Sequence, residues 1–162
     1  MKIKVSDVVD EDEYRPVRYG RTFIRERVAD AERLRIGYDD VPDGCVQVLA
    51  SRLSGPFQLL YVLHTTRTGA ELGRYQSPEL SSRDLADFFR AFGRFIAEDS
   101  RHDLWVRSHG EPATIVLDRH NIIFAYGPLD LFQQTLVKNG AVAGDGPPTV
   151  GYPRASLPRG LG

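Results

Sequence analysis

The stretch Ser81–Lys138, SSRDLADFFRAFGRFIAEDSRHDLWVRSHGEPATIVLDRHNIIFAYGPLDLFQQTLVK, decides the fold. It reads as a helix, three consecutive strands and a second helix. Leu85, Phe88, Phe89, Phe92, Phe95 and Ile96 fall at i, i+3, i+4, i+7, i+10 and i+11, one apolar stripe at the helical period. Ser81 is placed as the N-cap, with Asp84 three residues on in the position of a capping box. Leu80 and Leu85 occupy the positions of a hydrophobic staple. Arg83, Asp87, Arg90 and Arg94 take the solvent side. The spacing therefore predicts a helix over Ser81–Asp99 that lays four phenylalanines on a sheet as core. On that reading Phe92→Ala costs about 3–5 kcal/mol.

Leu104–Ser108, Ala113–Leu117 and Ile122–Tyr126 follow as strands, rich in β-branched and aromatic residues. The connections His109–Pro112 and Asp118–Asn121 are too short for a crossover, so neighbouring strands must run antiparallel. Ile115 and Leu117 share one face and Val116 takes the other, which suits a central strand. Gly127 and Pro128 close the meander and open a helix over Pro128–Lys138, with proline suited to the first helical position. Asp130 and Lys138 complement the helix dipole, and Asn139-Gly140 is a left-handed stop.

Upstream, Lys2–Val9 reads as a short edge strand. Ile24, Val28, Ala31 and Leu34 approach a helical stripe, with acids and arginines at helical spacing, and predict a helix over Thr22–Arg35. The arginines at 15, 18, 21, 25, 27, 33 and 35 form either an anion-binding face or a solvated side with internal salt bridges. Pro42-Asp43-Gly44 is turn material. Cys45–Arg52 and Phe57–Thr66 then read as a hairpin about Leu53–Pro56, and Ala70–Tyr75 as a further short strand. His64 falls on the Leu60 and Val62 face, a place for a half-buried, hydrogen-bonded histidine. The expectation is one α+β domain over residues 1–140, with a mostly antiparallel sheet of five to seven strands. Residues 141–162 form a Gly- and Pro-rich tail with little to bury, either mobile or strapped along the domain.

Composition narrows function by exclusion. The 162 residues carry 41% hydrophobic and 27% charged residues and a net charge of −1. Such a balance offers no global field for nucleic acid or an anionic membrane. No run approaches the length of a membrane span, and no signal-peptide core opens the chain. The single cysteine, Cys45, forms no internal disulfide, which fits a reducing cytoplasm. Arginine outnumbers lysine 18 to 3, a compositional habit more than a chemical signal. The glycines lack phosphate-loop or dinucleotide spacing, so no cofactor is expected.

At Asp103-Leu-Trp105, Leu117-Asp-Arg-His-Asn121 and Ala125-Tyr-Gly-Pro-Leu-Asp130 the chain resembles a group of small bacterial proteins of uncharacterised function. The likeness spans residues 45–140 and implies a compact cytosolic domain with no known activity. Members of that group often continue into a histidine-rich, acidic segment. Here the corresponding Pro147–Arg154 holds no histidine, which separates this chain from any role resting on that segment.

One rim remains as a candidate site. Antiparallel pairing sets Leu117 opposite Leu104, and so brings the turn Asp118-Arg119-His120-Asn121 to Ser100–Asp103. His102, Asp103, Asp118, Arg119 and His120 would gather there, near Glu98 and Asp99. Two imidazoles and several carboxylates are components of acid–base or metal chemistry, with His102 and His120 as metal ligands. The same residues are also ordinary turn and helix-terminus material. Two functions follow: a small non-enzymatic cytosolic protein acting through a protein partner, or a metal-assisted hydrolase using this rim with Arg119 stabilising an anion.

Overall fold

The computed structural model describes residues 6–10, 13–16, 19–64, 72–99 and 101–148. The fold is α+β. Its main sheet is open, eight-stranded and mostly antiparallel, wider than the five to seven strands expected. In chain order the described elements are β1 (Ser6–Asp10), β2 (Glu13–Pro16), β3 (Arg21–Val28), β4 (Ala31–Tyr38), α1 (Pro42–Ala50), β5 (Phe57–Leu63) and β6 (Gly73–Gln76). They continue with α2 (Ser82–Glu98), β7 (His102–Ser108), β8 (Ala113–Leu117), β9 (Ile122–Tyr126), α3 (Leu129–Lys138) and β10 (Val142–Ala143). β1 and β2 pair as a separate two-stranded sheet, and the main sheet runs β10-β3-β4-β9-β8-β7-β5-β6. The expected strand at residues 2–9 corresponds to Ser6–Asp10, and residues 1–5 lie outside the described residues.

The β7-β8-β9 meander forms in the expected register, with Leu104 opposite Leu117 and Leu117 opposite Ile123. α2 carries the full capping box: Asp84 N–H donates to Ser81 Oγ, and Asp84 Oδ2 accepts from Ser81 N–H, both at 3.1 Å. Pro128 stands at the N-cap of α3, one place before its first helical residue and not at the first helical position expected. Asn139 follows Lys138 as the C-cap, and Gly140 takes a positive φ of 83°.

Two expectations fail. Thr22–Arg35 is no helix but the β3-β4 hairpin. The charges that suggested helical pairing are cross-strand partners. Glu26 faces Arg33 directly, with Arg33 Nη2 3.0 Å from its carboxylate, and Arg35 Nε lies 3.2 Å from the same group. The hairpin turns at Ala29-Asp30, where Ala29 takes a φ of 53°, a place usually marked by Gly or Asn. Cys45–Arg52 is no strand either. Pro42 stands in the first turn of α1 with Asp43 beside it, and Cys45, Val46, Leu49 and Ala50 form a buried helical stripe.

Strand alternation divides the main sheet into two unlike faces. Leu34, Ile36, Ile123, Ala125, Ile115, Leu117, Leu104, Val106 and Leu59 share one face and are buried. α1 lies against β8, β4 and β9 there, flanked by α2 and α3. This layer holds the core, and each fully buried Leu, Ile or Phe contributes roughly 1.5–3 kcal/mol before entropy is counted.

The opposite face carries Arg33, Phe124, Tyr126, Thr114, Trp105, Arg107, Gln58 and Leu60, none of them fully buried. Among the described residues, the segment that lies over it is at its β3-β4 end. Of the Gly/Pro-rich tail, residues 141–148 run along that end. Val142 and Ala143 pair parallel with Thr22 and Phe23, Gly144 N–H donates to Phe23 O at 3.0 Å, and Arg35 donates to the Pro147 carbonyl. A side chain at Gly37 would place its Cβ 2.5 Å from Tyr19 Cβ, so only glycine admits the chain that crosses here. Residues 149–162 lie outside the described residues.

Candidate functional site

The expected rim forms as a neighbourhood but not as one cluster. The turn does meet β7: Asp103 Oδ1 accepts the Arg119 backbone N–H at 2.8 Å. Yet His102 and Asp103 are consecutive strand residues and point to opposite faces. His102 is 1% exposed, on the helix-covered face, with its ring stacked on Tyr61 at 4.6 Å and on Phe95 at 6.1 Å. Its Nδ1 lies 4.0 Å from Asp99 Oδ1. Asp103 turns to the other face, where its Oδ2 lies 2.8 Å from His64 Nε2. His64 is thus half-buried and hydrogen-bonded, as its position suggested.

Asp118 is engaged by its own turn. Its Oδ1 accepts from His120 N–H at 2.8 Å and Ile122 N–H at 2.9 Å, and its Oδ2 lies 3.4 Å from His120 Nδ1. Asn121 takes a φ of 61° and ties the turn to α2 through the Ala97 carbonyl at 3.0 Å. The carboxylates therefore sit in three local pairs: Asp99 with Arg101, Asp103 with His64 and Asp118 with His120. Among the described residues no group of three His, Cys, Asp or Glu is arranged to hold a metal ion. Arg101 donates to both Asp99 oxygens and holds that carboxyl down at about 2. Burial pushes the Cys45 thiol up to about 12, far from a reactive thiolate.

Four arginines of the front third, Arg21, Arg25, Arg33 and Arg35, are also engaged by carboxylates. Arg21 binds Asp40, Arg25 binds Glu32 and Asp130, and Arg33 and Arg35 share Glu26. Arg33 additionally lies 4.4 Å over the Phe124 ring. Arg15 and Arg18 lie outside the residues whose side chains are described.

The unexpected surface is at the other end of the sheet, around β6. The α2 stripe is only half used. Phe89 is 3% exposed, but Phe92 and Phe95 are 52% exposed, which overturns the expectation of a buried Phe92. Leu85, Phe89, Gly93 and Ile96 face the core, while Phe92 and Phe95 overhang. Tyr75 on β6 is 47% exposed and Leu72 just before it 60%. Between α2 and β5-β6 runs a trough of about 610 Å³, floored by Leu59, Tyr61 and Leu104 and walled by Phe88, Phe92 and Tyr75.

On the reverse face a groove of about 1060 Å³ is lined by Gln58, Leu60, Trp105 and Tyr126, with Arg74 and Arg107 projecting into it. Neither arginine makes a hydrogen bond or ion pair among the described residues. Sequence reasoning missed this surface because a helical stripe shows which side is apolar, not how far the sheet beneath it extends. No protein-family model, no curated protein and no solved structure matches the chain.

Proposed function

We propose that this chain is a small, non-enzymatic binding or regulatory protein of the bacterial cytosol that acts through a protein partner. The partner docks on the shelf made by α2 and β6. One observation carries the reading: Phe92 and Phe95 remain 52% exposed on a helix that buries Leu85, Phe89, Gly93 and Ile96, and Phe92 shares its trough with Tyr75. Contiguous exposed aromatic surface of this kind marks interaction sites in soluble proteins, and aromatic residues are enriched at the centres of interfaces. No described helix is long and apolar enough to cross a membrane. The hydrolase reading of the His102, Asp103, Asp118 and His120 rim draws no support from three separate local pairs.

The test is affinity capture from native lysate with the wild type and a Phe92→Glu, Phe95→Glu double variant, both checked for an unchanged fold by circular dichroism. A partner held by the wild type and lost by the variant supports the reading. Equal capture by both proteins refutes it, as does a small metabolite co-purifying in place of any protein.

A further inference from the structure

We propose that β6 accepts an extended segment of the partner as an added strand of the main sheet, and that this segment alternates acidic and apolar residues. The inference rests on the reading of the α2-β6 shelf as a docking surface and specifies what docks there.

β6 ends the strand order, so among the described residues one of its two backbone edges has no neighbour. The parity of that edge follows from the ladder. Ser77 N–H donates to Leu59 O at 2.9 Å, which makes Leu59–Ser77 a hydrogen-bonded position. In an antiparallel pair such positions alternate, so Tyr61–Tyr75 and Leu63–Gly73 also bond inward. The N–H and C=O groups of Arg74 and Gln76 therefore point outward. They are the docking points for strand addition, in which main-chain bonds supply affinity and alternate side chains supply specificity.

The two faces of β6 then dictate the incoming sequence. Residues bonded opposite Arg74 and Gln76 project to the same side as those side chains, into the groove that also holds Arg107. Two guanidinium groups without partners among the described residues favour carboxylates there. Glu111 also lines the groove, but its carboxylate already accepts the Ser54 N–H at 2.7 Å. Residues between them project beside Tyr75 and into the trough walled by Phe88 and Phe92, which favours apolar side chains. A second copy of this chain fits poorly. Self-pairing of β6 would bring the two Arg74 side chains onto one face within a residue step or two, and like charges so placed repel.

The probe is a fluorescein-labelled peptide of alternating glutamate and valine, with a control of identical composition in which the glutamates and valines are in separate blocks. Anisotropy titrations use the wild type, Arg74→Glu and Gln76→Pro. The proline removes an outward N–H and leaves the β5-β6 ladder intact, a substitution that edge strands tolerate. The alternating peptide binds the wild type at least about tenfold more tightly than the block peptide, and each variant loses about tenfold.

Equal affinity for the two peptides would mean that charge alone attracts them and would overturn strand addition. Full affinity in Gln76→Pro would do the same. A concentration-dependent dimer in sedimentation that Gln76→Pro abolishes would assign the edge to a second copy instead. If neither peptide binds, while partner capture still depends on Phe92 and Phe95, this inference is overturned and the proposed function stands.

Discussion

Phe89→Ala and Phe92→Ala make a paired test of how α2 lies on the sheet. Both residues are phenylalanines on the same helix, three residues apart, and a simple amphipathic reading treats them alike. Phe89 is 3% exposed and packs edge-on against Phe88 at 5.4 Å. Its truncation removes a fully buried ring and leaves a cavity, at a cost of about 3–5 kcal/mol. Phe92 is 52% exposed, so about half of the roughly 1.5–3 kcal/mol of a fully buried ring is at stake.

The better helix propensity of alanine returns about 0.5 kcal/mol of that. The net cost of Phe92→Ala is then about 1 kcal/mol or less. Urea unfolding of both variants, compared by midpoint at constant slope, measures the difference directly. A Phe92→Ala cost above about 2.5 kcal/mol, or a Phe89→Ala cost below about 1.5, would refute the overhanging geometry. The first of those results would restore the buried stripe and remove the docking shelf.

Three further outcomes are expected. Asp99 titrates at about 2 when folded against 3.8 ordinarily, so it contributes about 2 kcal/mol that is present above pH 4 and lost as pH falls toward 2. Asp99→Asn flattens the stability profile in that window and leaves it unchanged in shape above it. Glu26→Ala strands the partly buried Arg33 and Arg35 guanidinium groups and lowers stability by about 1–3 kcal/mol, read by thermal unfolding. Gly127→Ala costs about 1–3 kcal/mol, because φ is 133° there and a Cβ would stand 2.7 Å from Ala113 Cβ. A fully stable Gly127→Ala protein would show that the β9-α3 junction relaxes.

The parts of the fold legible in the sequence were those where local chemistry and tertiary pairing agree. Ser81 and Asp84 cap α2 through groups four residues or fewer apart, and the β7-β8-β9 connections are too short to allow any pairing but the observed one. At Glu26, Arg33 and Arg35 the two levels diverge. A spacing of seven suits two turns of helix, yet it also sets Glu26 opposite Arg33 across a tight hairpin, and only the partner strand β9 decides between them. In α1 the two valines at 46 and 48 favoured a strand, while Pro42, the residue that starts the helix, read as a loop.

For the site, the meeting of residues 118–121 with 101–103 followed from register. The direction of each side chain was not legible, because β7 begins at His102 rather than at Leu104, and alternation along the longer strand separates His102 from Asp103. The aromatic shelf was hidden because exposure of Phe92 depends on where β6 ends, and nothing near Phe92 in sequence encodes that.

The main sheet also has two ends of different character. At one, β10 and the chain that follows it to Pro147 lie over Thr22, Phe23 and Ile24, and the remainder of β3 presents Arg25 and Arg27. At the other, β6 has no outer neighbour among the described residues. Association through strand addition needs a receptive edge on each member, and open-ended growth needs two per molecule. A molecule with one such edge terminates any chain it joins. On the proposed reading, a strand that adds at β6 finds no second edge of the same kind at the β3 end, where β10, Arg25 and Arg27 stand, so each copy would take one partner and stop a strand rather than link a fibre.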